Sequence, residues 1–193
     1  MHNTGAIILA AGGSSRLGEP KQFLHYQGKT LIQRAVDAAL DCNPIVVVAG
    51  RDCERIREEL STHDVQVVHH PQWQQGIGSS IRAGVKALLD VAPNLDAFFI
   101  TACDQPFVTS RVLAVLWENR ARAQALAAAT AYDGVKGIPA LFTRPLFSDL
   151  LLLPDNCGAM QLLAKLGDSL ITAHFPEGAI DIDTPADSMA WLG

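Results

Sequence analysis

Short apolar runs of β-forming residues recur along the chain, and several are hydrophobic on both faces. They read "AIILAA" (6–11), "IVVVAG" (45–50), "VQVVHH" (65–70), "AFFIT" (97–101), "LAAATA" (126–131) and "IPALF" (138–142). A strand with no polar face must be covered on both sides, and the intervening segments supply the cover. "TLIQRAVDAAL" (30–40), "SSIRAGVKALL" (79–89) and "SRVLAVLWENR" (110–120) repeat apolar residues at helical spacing. In the first, Thr30 is placed to cap the helix, with Ile32, Val36, Ala39 and Leu40 on one face. The pattern predicts a layered α/β fold around a mostly parallel sheet. With no internal repeat and no linker, residues 1–193 read as one domain, and 49% hydrophobic residues can fill its core.

Net charge of −5 argues against a broad phosphate-backbone footprint, so no nucleic-acid partner is expected, although a small anion can still be held by local donors. Cys42, Cys53, Cys103 and Cys157 form no CxxC pair, which points to packed thiols. The opening "MHNTGAIILAAGG" lacks a basic n-region and is too short to span a membrane, so it is read as the first strand of a cytoplasmic protein. His69 and His70, beside Pro71, read as satisfied or solvated loop residues, and Trp73 and Trp117 as packing residues.

Ligands of open α/β sheets bind beyond the carboxyl ends of the strands. Four polar clusters stand there. After the first strand comes "GGSSRLGEPK" (12–21). Gly12 and Gly13 permit close backbone approach, the amides of residues 13–16 with the hydroxyls of Ser14 and Ser15 can form an anion nest, and Arg16 and Lys21 add cations. It is neither a P-loop, since "EPK" follows Gly18, nor a dinucleotide fingerprint, since GxGxxG is absent. The bland alternative is a glycine-rich turn with solvated cations.

The second cluster, "QGIGSSIRAGV" (75–85), gives a glycine turn in which Ser79 or Ser80 can cap the next helix. In the third, "FFITACDQPFVTS" (98–110), Asp104 follows a buried strand and Thr109 is expected to cap the next helix. Asp104 either ligates a hard divalent cation or makes an Asx-type turn. The fourth, "AIDIDTPADSMAWL" (179–192), places Asp181 and Asp183 on one side of an extended segment. Thr184, Pro185 and Asp187 read as a helix start, whose N-terminus the acids would also suit.

The pattern LAAG-x-S-x-R-x-G-x-x-K resembles the opening signature of nucleotidyltransferases with a glycosyltransferase-A-like fold. "GIGSSIRAG", "DQP", "YDGVKGIPALF" (132–142) and "DIDTP" resemble more narrowly the molybdenum-cofactor cytidylyltransferases, a MobA-like family. The resemblance runs from about residue 5 to 192. It implies a three-layer α/β/α sandwich with a mostly parallel, Rossmann-like sheet of the nucleotide-diphospho-sugar transferase type. It further implies nucleotide contacts from Ala11, Gly12, Gly13, Ser15, Arg16, Gly78, Ser79 and Ser80, with Arg82 a weaker candidate. Arg16, Lys21 and Asp104 would be catalytic, and Asp104 and Asp183 would hold Mg2+, with Asp181 as the fallback.

The implied reaction transfers CMP from CTP to a molybdopterin-type acceptor with release of pyrophosphate, and a recipient molybdoenzyme is an implied partner. "LAAG" favours CTP over GTP by resemblance alone. Ile138 stands where the family often has His or Asn, which puts one acceptor contact in doubt. Lys29 is a further candidate for an anionic substrate, and "CGAMQLL" (157–163) resembles the family's helix start. Three alternatives stay open at this point: a sugar-phosphate or alcohol-phosphate nucleotidyltransferase, a non-catalytic nucleotide-binding partner of a molybdoenzyme, and a nicotinamide-dependent oxidoreductase. The last is disfavoured by the missing fingerprint.

Overall fold

The structure, a computed structural model, describes residues 1, 3–13 and 17–191. Its centre is a seven-stranded sheet in the order β5-β4-β1-β6-β8-β7-β9. The strands are β1 (Thr4–Ala10), β4 (Ile45–Ala49), β5 (Gln66–His69), β6 (Ala97–Ala102), β7 (Ala127–Tyr132), β8 (Val135–Thr143) and β9 (Leu170–His174). Two further two-residue strands, β2 (His25–Tyr26) and β3 (Lys29–Thr30), form a small hairpin of their own.

The apolar runs are strands for the expected reason. β1 is buried at every position, and its successive residues feed opposite cores. Ala6, Ile8 and Ala10 join one core with Val47, Phe99 and Leu141, under α1 (Leu31–Ala38), α2 (Cys53–Glu59) and α4 (Ser110–Ala123). Ile7 and Leu9 join the other with Val48, Phe98 and Phe142, under α3 (Ile77–Val91), α5 (Phe147–Leu151) and α6 (Ala159–Lys165). The result is a three-layer sandwich around a mostly parallel sheet, as expected. Thr30 caps α1 in a reciprocal box: its hydroxyl accepts from the Gln33 amide, and the Gln33 side chain accepts from the Thr30 amide.

β8 alone runs against the others, pairing antiparallel with both β6 and β7. Its reversal follows from a two-residue turn at Asp133 and Gly134, whose φ angles of 47° and 75° are those of the tight hairpin turns that Asp-Gly favours. Every other strand of this sheet points the same way, so the carboxyl ends of β1, β4, β5, β6, β7 and β9 share one edge with the start of β8. No helix among the described residues is long and apolar enough to cross a membrane.

Candidate active site

The cluster after β1 and the cluster after β6 are brought together by strand pairing. Leu9 lies opposite Ala102 in the parallel ladder, and the Cys103 amide donates to the Leu9 carbonyl at 3.2 Å. Past Gly18 the chain turns through a single 3-10 turn, Lys21–Phe23, which carries Lys21 back under the crevice. Gln22 fixes that return. Its side-chain amide donates to the Ala10 carbonyl at 2.7 Å and to that of Gly12 at 3.3 Å, tying the turn to the end of β1. Gln22 carries no charge and no motif position marked it in advance.

The closing segment arrives by the same kind of pinning. The Ile182 amide donates to the Asp104 carbonyl at 3.0 Å and the Ile182 side chain is fully buried. With Ile182 turned inward, Asp181 and Asp183 flank it on the crevice side, as their alternation requires. Asp187 then locks the corner. Its carboxylate accepts from the amides of Asp183 and Thr184 and from the Thr184 hydroxyl, opening α7 (Pro185–Trp191) as anticipated.

The three remote residues meet at one atom. Lys21 Nζ lies 2.5 Å from Asp104 Oδ2 and 2.8 Å from Asp183 Oδ1. The two carboxylates therefore converge, from the middle and the far end of the sequence, on a single cation position. Burial opposes the lysine's charge, but the Asp104 carboxylate, helped by hydrogen bonds to both aspartates, overcomes it and holds the ammonium well above its ordinary range. Cys103, next in the chain, is a buried thiol pushed up by desolvation and by the Asp104 charge, which makes it a packing residue and not a nucleophile.

Asp181 is the third acid of the group. Its carboxyl is pushed up to about 6, by lost hydration first and then by the Asp104 and Asp183 charges, with Lys21 and Gln105 pulling the other way. An acid whose pKa rises on folding costs the fold nothing below the usual aspartate range, and its cost grows as pH climbs through about 6. Asp181→Asn should therefore melt higher than wild type at pH 8 without divalent cations, by a margin that shrinks as pH falls toward 4. Because Asp181 is open to solvent on one side, screening keeps the gain below ~1 kcal/mol, or a few degrees in a melting scan. Equal melting curves at pH 8 would contradict the crowding of these acids.

Around the acids lies a cleft of about 210 Å3 lined by Leu9, Ala11, Gly12, Lys21, Trp73, Gly76, Ile77, Ser80 and Asp104 among others. Of the serine pair, Ser80 faces it. Ser79 is turned away: its hydroxyl donates to the Gly76 carbonyl and meets His70 Nε2 at 2.9 Å. Helix α3 begins at Ile77 with Gly76 as its cap, so neither serine caps it. The Gly78 amide is already engaged by the Asp155 carbonyl at 2.8 Å, and its α-carbon is packed on the 154–157 loop. Arg82 is likewise committed to that loop, bonded to the Leu153 carbonyl and the Asp155 carboxylate. Lys29 pairs with Asp37 away from the cleft residues.

Trp73 is both a packing residue and a wall of the cleft. A Cβ at Gly13 would come within 2.7 Å of its indole, and one at Gly50 within 2.9 Å, so the ring lies directly against both glycines. Its place just after a strand end, among the polar clusters, is the signal that could have found it. Ser15 and Arg16 lie outside the described residues.

The donor set can be tested against a metal. Among the described residues no group of three or more His, Cys, Asp or Glu is placed to hold an ion by itself. What the chain offers is two hard carboxylate donors around one cation position, which suits Mg2+ completed by substrate phosphates and waters.

With this geometry in place, the model of the MobA-like NTP transferase domain matches residues 6–170. The chain belongs to this family. The molybdenum cofactor cytidylyltransferase of Escherichia coli is 27% identical over 183 residues, spanning 94% of this chain and 91% of that protein. A nucleotidyl transferase from Methanothermobacter thermautotroptrophicus superposes with a TM-score of 0.80 at 26% identity, covering 100% of this chain and 97% of that one. Nicotine blue oxidoreductase of Paenarthrobacter nicotinovorans is 32% identical over 103 residues, about half of each chain (52% and 48%). The MobA-like chain is thus a nucleotidyltransferase in fold and family, with its acids, its lysine and its glycine loop at one crevice.

Proposed function

We propose that the protein transfers CMP from CTP to a molybdopterin-type acceptor in a Mg2+-dependent reaction that releases pyrophosphate. The observation that carries this reading is the meeting of Lys21, Asp104 and Asp183 at the edge of a cleft lined by Ala11, Gly12 and Ser80. The near-full-length similarity to a molybdenum cofactor cytidylyltransferase supports the choice of nucleotide and acceptor.

In the reaction an acceptor phosphate oxygen attacks the α-phosphorus, a new P–O bond forms, and the α–β bridging bond breaks with its electron pair leaving on pyrophosphate. Such transfer needs alignment and charge neutralisation, and no covalent intermediate on the protein. Asp104 and Asp183 would hold Mg2+, which when bound neutralises phosphate charge and orients the triphosphate. Lys21 contributes a point charge between triphosphate and acceptor. Arg16 and Ser15 are assigned to the phosphates on the sequence pattern, with the amides of Gly12 and Gly13 beside them. Trp73 and Ser80 supply one wall of the nucleotide cleft.

Pyrophosphate release tests the proposal. With Mg2+, molybdopterin and each nucleoside triphosphate in turn, release is expected with CTP above the others. Release with CTP and a sugar phosphate, but not molybdopterin, would move the assignment to the sugar-phosphate branch. No release with any acceptor would leave a nucleotide-binding module.

A further inference from the structure

We infer that, before nucleotide arrives, the Lys21 ammonium occupies the position between Asp104 and Asp183 that the divalent cation takes during turnover, so that metal enters with the triphosphate and not ahead of it. The inference rests on the metal role proposed above for the two aspartates and adds an order of binding to it.

The geometry makes the two occupancies exclusive. The ammonium contacts one oxygen of each aspartate at 2.5 and 2.8 Å, so it sits between the two carboxylates that would hold the cation. A divalent ion placed there would meet a like charge at contact distance in a partly dehydrated site. Lys21 is also the more deeply set partner: its side chain is 11% exposed against 20% for Asp104 and 35% for Asp183. The carboxylates are therefore reachable from the cleft while the ammonium neutralises them from beneath.

Displacement is mechanically simple, because the amine rides on a four-carbon stem that borders the cleft. What it needs is another anion to receive the lysine. A triphosphate supplies that anion and brings its own cation, so both exchanges are favourable only when they occur together.

The test is Mn2+ binding to the full chain without nucleotide, followed by loss of the free-ion paramagnetic resonance signal. Lys21→Gln should bind Mn2+ at least ~10-fold more tightly than wild type, since a unit charge beside the site is removed. Lys21→Arg, which keeps the charge, should not gain. Equal or weaker binding by Lys21→Gln, or an equal gain in Lys21→Arg, overturns the inference. Adding Asp104→Asn and Asp183→Asn to Lys21→Gln separates the two levels of the argument. If Mn2+ binding survives those changes the metal role itself fails. If it is lost while Lys21→Gln matches wild type, only the lysine's part fails.

Should Lys21→Gln not fold, wild type answers by acylation and mass spectrometry. Labelling of Lys21, scaled to exposed Lys86, should rise severalfold as Mn2+ saturates the site, and labelling unaffected by Mn2+ overturns the inference.

Discussion

Asp104→Asn is expected to lower the turnover number by about 10²- to 10³-fold at saturating CTP, the range seen when one preorganised electrostatic contact to a reacting phosphate or oxyanion is removed. The substitution keeps the shape of the side chain and leaves an amide oxygen that can still accept from Lys21. What it removes is one of the two negative charges that meet at the lysine. The fold should tolerate this. Asp183 still faces the Lys21 ammonium, the Asp104 carbonyl still holds the Ile182 amide, and the crowding of acids around Asp181 is relieved. A melting scan within a few degrees of wild type, beside a collapse in pyrophosphate release, is the expected pair of results. Near-normal turnover would take Asp104 out of the metal role.

The second large effect falls on stability. Gly78→Ala is expected to destabilise the protein by about 1–3 kcal/mol, the range for overpacking a closed site. The new Cβ would stand 2.0 Å from the Pro154 carbonyl oxygen and 2.8 Å from that of Cys157. Both are backbone atoms and cannot rotate aside. The first turn of α3 or the 154–157 loop would have to move, stretching the Gly78–Asp155 hydrogen bond. For a chain of this size the melting temperature should fall by roughly 3–10 °C with no nucleotide present. This separates two reasons for a glycine. If Gly78 served only the approach of a nucleotide, the variant would melt like wild type and lose CTP affinity alone.

That contrast shows where the sequence was legible and where it was not. Strand positions followed from double-faced apolar runs, because burial on both faces is written residue by residue. β9 escaped, since LITAH is short, half-buried and an edge of the sheet. α2 escaped for a similar reason: CERIREE buries only Cys53 and Ile56. The antiparallel turn of β8 was signalled by Asp133-Gly134 between two strands, a local sign that alternating strands and helices had overshadowed.

At the site, Asp104 could be named because a charged group right after a buried strand has few structural reasons to be there, while Lys21 and Asp183 were marked by the resemblance of their motifs. Their contact could not be read, because it depends on Gln22 and Ile182 pinning two loops to the ends of β1 and β6. Gly78 and Ser79 have packing and hydrogen-bond roles that the motif did not announce. Glycine and serine serve close packing and internal hydrogen bonds as readily as ligands, and here Gly78 packs on the 154–157 loop while Ser79 bonds His70.

Crystals soaked with CTP and Mn2+ give the most direct measurement, through the anomalous scattering of the ion. One peak is predicted between the Asp104 and Asp183 carboxylates, touching the triphosphate, with the Lys21 ammonium moved onto a phosphate oxygen. A peak remote from both aspartates, or CTP bound outside the cleft beside Trp73 and Ser80, would contradict the account.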